Sequence, residues 1–374
     1  MEAYFRNGGL PPFYRCNEVK NWTYDEWLLQ GEPQVALGFE CLIYGASCII
    51  LYLPCLYVLL QRDLVGITAY KLLFLLTLLE IGNLLMNSVS AGIFFIQGIV
   101  YCNYPNLMYV MGSLVMSFWT GVCGTCFILG LSRLVDLWNP LWHDAIFGGK
   151  RIIFSLLLIF SYMSYMFFYT KPAVFNSRQL TWDFDPRVYP DGSMFMKYAS
   201  LPTNFNNMGT CVCTLLITIT FTFSFVYKYT LHNFTLSTFQ KQASKKRCPR
   251  LFGLLEKTQL LFIQSTVACS NSLFSALIYV SYSYIPISRF VNYLGLLTWQ
   301  LSSAGELIVF LFLNVTIRRR VFRILHVQHN PSTIHLASSA YRVRNPDSVP
   351  PANPNSEEVH KVGVALPKEE SFAQ

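Results

Sequence analysis

The chain has 374 residues, of which 53% are hydrophobic and only 13% charged, about half the charge density of an ordinary soluble domain. Such a composition cannot cover a folded surface for water, which excludes a cytosolic globule and makes lipid the natural solvent. The formal charge of +8 is gathered in a few segments between long uncharged stretches, so it speaks for orientation in a bilayer, and no nucleic-acid partner is expected.

A helix crosses the hydrocarbon core with about 20 mostly apolar residues. Residues 1–35 contain no such run and no signal-peptide core, so the first apolar run is expected to direct insertion itself. Seven runs follow, at about 36–60, 72–96, 107–131, 152–170, 207–227, 259–282 and 292–317. Glu40, Glu80 and Glu306 are the only acids in them, and none of the runs contains Lys, Arg or His. The fifth and sixth are the least apolar, being rich in Thr, Ser and Asn, and read as helices facing a bundle interior. The pattern predicts an all-α membrane protein, a seven-transmembrane helix bundle over 36–317.

Orientation follows from the flanking Lys and Arg, which concentrate on the cytoplasmic side. The segments 1–35, 97–106, 171–206 and 283–291 hold eight; the segments 61–71, 132–151, 228–258 and 318–323 hold sixteen. The N-terminal segment 1–35 is therefore expected outside and the C-terminus inside. The sequon at Asn21 falls on the external side and is the expected N-glycosylation site. Loop 171–206 carries turn chemistry, and loop 228–258 carries Lys245, Lys246 and Arg247. After the seventh run, Ile317, Val321 and Leu325 recur every four residues while Arg318, Arg319, Arg320 and Arg323 take other faces. Residues 318–328 are thus expected to form a short amphipathic helix on the inner membrane surface, and the polar, Pro-rich stretch 329–374 a disordered cytoplasmic tail.

Most of the 11 cysteines sit inside apolar runs as small core residues. Cys16 and Cys102 alone are expected outside, where an oxidising medium favours a disulfide between them; two separate thiols are the alternative. No CxxC stands with His at zinc spacing, all six His lie in loops or the tail, and no metal or other cofactor is expected.

Several short pieces then come together in order. Tyr14-Arg15-Cys16 precedes the first run, and Tyr101-Cys102-Asn103-Tyr104-Pro105 precedes the third. Leu131-Ser132-Arg133 ends the third run, followed by Leu137-Trp138-Asn139-Pro140 and Phe147-Gly148-Gly149-Lys150. Leu313-Asn314-Val315-Thr316-Ile317-Arg318-Arg319 follows the seventh. In this order, over about residues 14–325, the chain resembles the nematode serpentine receptors of class T, chemoreceptors within the G-protein-coupled receptor superfamily. The resemblance implies a receptor that binds an external small molecule and signals to a cytoplasmic heterotrimeric G protein. It also makes Arg133 the arginine that changes partners on activation. The sequence departs from the wider superfamily in having Ser132 where an acid often precedes that arginine. The seventh run lacks an Asn-Pro-x-x-Tyr pattern, runs five to seven lack proline, and loop 171–206 has no cysteine.

Candidate sites divide by depth. Arg133, Lys245, Lys246, Arg247, Arg318, Arg319 and Arg320 are expected to face the G protein, although the same arginines and lysines also set topology and attract anionic lipid; Arg133 has Glu80 as a candidate partner. Glu80 and Glu306 sit where ionisable groups are costly and functional by default, with Asn83, Asn87, Asn271 and Gln300 as candidate hydrogen-bond partners. The ligand pocket is expected among the outer halves of helices three, five, six and seven, with Tyr109, Met116, Trp119, Asn207, Tyr279 and Trp299 as its lining; a lipid-facing position or ordinary core packing is the alternative for each. A small-molecule transporter or ligand-gated channel remains the alternative function. No metal-ligand set, Ser-His pairing within the runs or paired aspartates point to an enzyme.

Overall fold

The computed structural model describes residues 1–188, 198–239, 266, 270, 272–281 and 288–326. Apolar runs without charge leave the backbone no partner in lipid except itself, so each becomes a helix. These are α1 (Val35–Leu59), α2 (Thr68–Gln97), α3 (Pro105–Trp138), α4 (Ile152–Tyr169), α5 (Leu201–Phe239), α6 (Ser272–Ser281, the described part of the sixth run) and α7 (Arg289–Leu313). The last described element, α8, covers Val315–His326. The candidate residues Lys245, Lys246, Arg247 and Asn271 and the tail 329–374 lie outside the described residues.

Helix α3 is the hub, packed on α2, α4 and α5, while α1 and α7 close against α2. The outer faces show which solvent the bundle is built for. On α1, Ile43, Ile50 and Leu53 are exposed; on α4, Phe154, Leu157 and Leu158; on α5, Leu215, Leu216 and Phe223. A contiguous apolar surface of this extent is not stable against water and fits acyl chains. Helices α2 and α3 are instead mostly buried, and carry the polar side chains that meet their neighbours inside.

Three boundaries differ from the sequence reading. Helix α3 does not stop near 131 but continues to Trp138, so Arg133 lies within the helix. The stop is at Asn139-Pro140: proline disfavours helical backbone in the residue before it, and the Asn139 side chain accepts from the amides of Leu141 and Trp142 to cap the next helix, Pro140–Phe147. Helix α5 exceeds 207–227 at both ends. The junction of α7 and α8 falls at Asn314 rather than 317. Asn314 leaves the helical region, and its Oδ1 accepts from the Ile317 amide at 3.0 Å as an N-cap. The apolar stretch Val315–Ile317 had concealed that cap.

Helix α7 is broken. Its halves Arg289–Ser303 and Gly305–Leu313 meet at 41°, at Ser302-Ser303-Ala304-Gly305, a small-residue stretch of the kind that kinks helices without proline. At the break the Leu307 amide bonds to the Ala304 carbonyl instead of to that of Ser303. The buried Tyr52 hydroxyl of α1 donates to the Ser303 carbonyl at 2.8 Å, and Tyr44 donates to that of Gln300 at 3.0 Å. Tyr52→Phe should therefore leave a buried carbonyl unpaired and cost roughly 1–3 kcal/mol, read as a lowered melting temperature of the purified protein with secondary structure unchanged. Two π-helical turns, Leu85–Ser90 in α2 and Val309–Leu313 in α7, complete the irregular backbone of the core.

At one end of the bundle, loop 171–206 forms a hairpin of β1 (Val174–Asn176) and β2 (Thr181–Asp183), antiparallel with Phe175 opposite Trp182. The ladder extends to Val100 through a bridge with Asn176, and the Ser177 amide donates to the Ile99 carbonyl at 3.0 Å. The N-terminal segment lies at the same end. Its Tyr14 and Trp27 are buried in one cluster with Phe175, Trp182 and Trp299, and Arg289 pairs with Glu32 at 2.9 Å. We call this the hairpin end, and its opposite the α8 end.

Candidate functional site

Under the hairpin lies a cavity lined from α3, α5, α6 and α7 and roofed by the hairpin. Five of the six expected lining residues meet there: Met116, Trp119, Asn207, Tyr279 and Trp299. Trp119 donates its indole N–H to Asn207 Oδ1 at 2.7 Å, joining α3 to α5. Trp299 stands edge-on to both Trp119, at 6.3 Å, and Tyr279, at 5.8 Å. Edge-to-face rings at such spacing attract beyond their area burial, so the aromatic wall holds its shape.

Tyr109 is the exception. It lies seven residues before Met116, about 10 Å nearer the start of α3, stacked on Tyr4 at 5.6 Å and edge-on to Tyr14 at 5.0 Å. It anchors the N-terminal segment and does not line the cavity. The sequence reading missed the roof. Ala173, Trp182 and Phe184 come from the hairpin loop and Ser275 from α6. A tryptophan between Thr181 and Asp183, in a loop rich in turn residues, was the available signal.

The roof is fixed without a cysteine of its own. Gly112 of α3 lies directly under the hairpin strand: a Cβ there would overlap the Ala173 carbonyl oxygen and stand 2.8 Å from its carbon. Phe175 is fully buried and packs on Phe95 at 4.8 Å and on Trp182 at 5.5 Å. Beside the hairpin, the sulfurs of Cys16 and Cys102 are bonded, with Cα atoms 5.9 Å apart. That bond ties the N-terminal segment to the turn from which α3 starts. Asn21 is exposed on this segment.

Below the cavity, the polar side chains of the core gather around the break in α7. Glu80 accepts from Asn83 Nδ2 at 3.3 Å, and the Thr77 hydroxyl stands 3.1 Å from Glu306 Oε2. Asn87 Nδ2 donates to Ser303 Oγ at 3.3 Å, and Gln300 Nε2 donates to the Asn87 carbonyl at 2.9 Å. Both glutamates are buried. The Thr77–Glu306, Asn87–Ser303 and Gln300–Asn87 bonds cross between α2 and α7, so this network couples the helices at the joint.

At the α8 end, Arg133 is 6% exposed. Its ion-pair partner is not Glu80 but Asp136, three residues later at 4.0 Å; the Arg133 Nε is buried without a hydrogen-bond partner. The i,i+3 spacing marks Asp136 as the partner once α3 is known to run past 131. Trp138 Nε1 donates to Ser224 Oγ of α5 at 2.9 Å, and the Lys228 ammonium donates to the Leu137 and Trp138 carbonyls, a cation on a helix C-terminus as the peptide dipoles favour. On α8, Arg320 is held by Gln61 and, in a bidentate pair, by Asp63, which keeps the Asp63 carboxyl below its usual range. Arg318 donates to the Phe312 carbonyl at 2.7 Å, while Arg319 is exposed.

The comparisons with known proteins agree with this geometry. The family model described as serpentine type 7TM GPCR chemoreceptor Srt matches residues 3–333. Serpentine receptor class T-55 of Caenorhabditis elegans is 22% identical over 310 residues, covering 81% of this chain and 78% of the relative. Among solved structures, squid rhodopsin superposes with a TM-score of 0.56 at 14% identity, over 91% of this chain and 96% of that one, a likeness of fold. A multi-pass bundle with a rhodopsin-like arrangement of helices, matched almost end to end by one family model, has one assignment: the chain belongs to the serpentine seven-transmembrane chemoreceptors of class T, within the G-protein-coupled receptors.

Proposed function

We propose that the chain is a plasma-membrane chemoreceptor of a sensory cell, with the hairpin end outside, that binds a small molecule in the cavity between α3, α5, α6 and α7 and signals to a heterotrimeric G protein at the α8 end. The flanking Lys and Arg support that orientation, which also leaves Asn21 outside for glycosylation. The carrying observation is the pairing of two sites on one helix. Trp119 lines the cavity, and Arg133, buried against Asp136, lies 14 residues further along α3, about 21 Å away. A ligand acts by binding the signalling arrangement better than the resting one. Arg133, Arg318, Arg319, Arg320 and the basic loop with Lys245, Lys246 and Arg247 form the G-protein side, beside anionic lipid.

The test is expression in a G-protein reporter cell challenged with a panel of volatile and water-soluble odorants. The expected result is a dose-dependent response in the wild type that Arg133→Ala reduces at least tenfold while surface staining persists. A response of Arg133→Ala equal to wild type would overturn the role given to that end. In the same cells Asn21→Gln should remove an endoglycosidase-sensitive mobility shift; an unshifted wild type would contradict the orientation.

A further inference from the structure

The cavity wall has more donors than its own residues can use. Trp182, Trp299 and Ser275 are 1%, 3% and 0% exposed, respectively, and all three line the cavity. Neither indole N–H nor the Ser275 hydroxyl meets a hydrogen-bond partner. A buried donor left unpaired costs about 1–3 kcal/mol, and three around one space call for an explanation. Their polar neighbours are engaged: Trp119 N–H with Asn207, Asn207 Oδ1 also with Asn206, and Thr203 with Ser200 and the Met116 sulfur. An indole N–H can only donate. What the two indoles lack is therefore an acceptor within reach.

The wall also lacks charge. Among the described residues the lining contains no Asp, Glu, Lys, Arg or His. An ammonium or carboxylate placed there would lose its water without gaining a counter-ion, at a cost of several kcal/mol. The remaining lining is Met116, Ala173, Phe184, the Asn204 amide and the faces of aromatic rings, the mostly apolar wall with a few polar groups that small-molecule sites present.

We infer that the cavity selects a small, neutral, mainly hydrocarbon molecule that carries a hydrogen-bond acceptor of the ketone, aldehyde or ester kind, and that Trp182, Trp299 and Ser275 read that acceptor. This rests on the cavity being the ligand site, as proposed above. Aromatic faces and Met116 take up the carbon skeleton, while the donors exclude a plain alkane by offering it nothing.

The test uses the full chain in lipid nanodiscs, with a panel of medium-chain ketones, aldehydes and esters set against alkanes, alkylammoniums and alkylcarboxylates of matched length. Tryptophan emission reports on Trp119, Trp182 and Trp299, and thermal stabilisation gives a second measure. The expected result is saturable binding of carbonyl compounds at least tenfold tighter than of the other three classes. Trp299→Phe, which keeps a ring, and Ser275→Ala should each weaken it by about five- to tenfold. Saturable binding led by a charged class, or carbonyl binding unchanged in both variants, would overturn the acceptor inference and leave the cavity as a ligand site. Neither emission nor stability responding to any class would overturn both readings.

Discussion

Gly112→Val should misplace the roof of the cavity and lower stability by about 3 kcal/mol, the upper part of the usual range for overpacking. The reason lies in what the side chain would meet. Most crowded core positions are relieved by rotating a neighbouring side chain, but here the obstacle is the backbone carbonyl of Ala173, with Pro172 Cβ only 3.0 Å from the added atom. Proline restricts how that segment can retreat. The displaced strand carries Phe175, which would lose its place against Phe95, and the strand paired with it carries Trp182. Gly112→Ala should already produce part of the effect. Melting curves of purified protein, with tryptophan emission as a report on the roof, check this; a Gly112→Val protein melting within a degree of wild type would show that the hairpin can shift freely.

The second large effect is expected from Cys16→Ser or Cys102→Ser. The bond closes a loop of 86 residues in sequence separation, and losing a cross-link of that span costs roughly 2–4 kcal/mol. Helices that stay inserted in the bilayer restrict the unfolded chain, which favours the lower part of that range. The loss should fall on one place: the N-terminal segment, packed through Tyr14 and Trp27 onto the hairpin end, would loosen from α3. Surface expression should drop, limited proteolysis should begin within residues 1–31, and the double variant Cys16→Ser/Cys102→Ser should be no worse than either single one. A double variant clearly worse than both singles would mean the two sulfurs act independently.

The apolar runs were legible because lipid imposes a simple rule on length and charge, and every described helix α1–α5 and α7 overlaps its expected run. Ends were less legible, since they depend on caps and breaks rather than on hydropathy. Asn314 caps α8 inside an apolar stretch, and Asn139-Pro140 ends α3 only after the helix has passed Arg133 and Asp136, the charges that close its apolar run. Within the cavity, helical residues were placed more readily than loop residues. Trp119, Asn207 and Trp299 follow from depth along their helices, whereas Trp182 reaches the cavity only because a hairpin folds inward, which no periodicity encodes. Asp136 was overlooked for a related reason: the acid was sought before Arg133, and its place after it becomes visible only when the helix is continued.

Helix α3 is a 34-residue helix, and proline stands only at its first position. It contains none of the π turns or breaks that interrupt α2 and α7, so it behaves as a stiff lever about 50 Å long. Stress applied at Trp119 cannot be absorbed by local bending. A tilt of about 5° pivoting there would swing the Arg133 level sideways by about 2 Å, dragging on the Trp138–Ser224 and Lys228 moorings of α5. In such a tilt the break in α7 at Ala304 would be the compliant point, and the unbroken α3 would move as one piece.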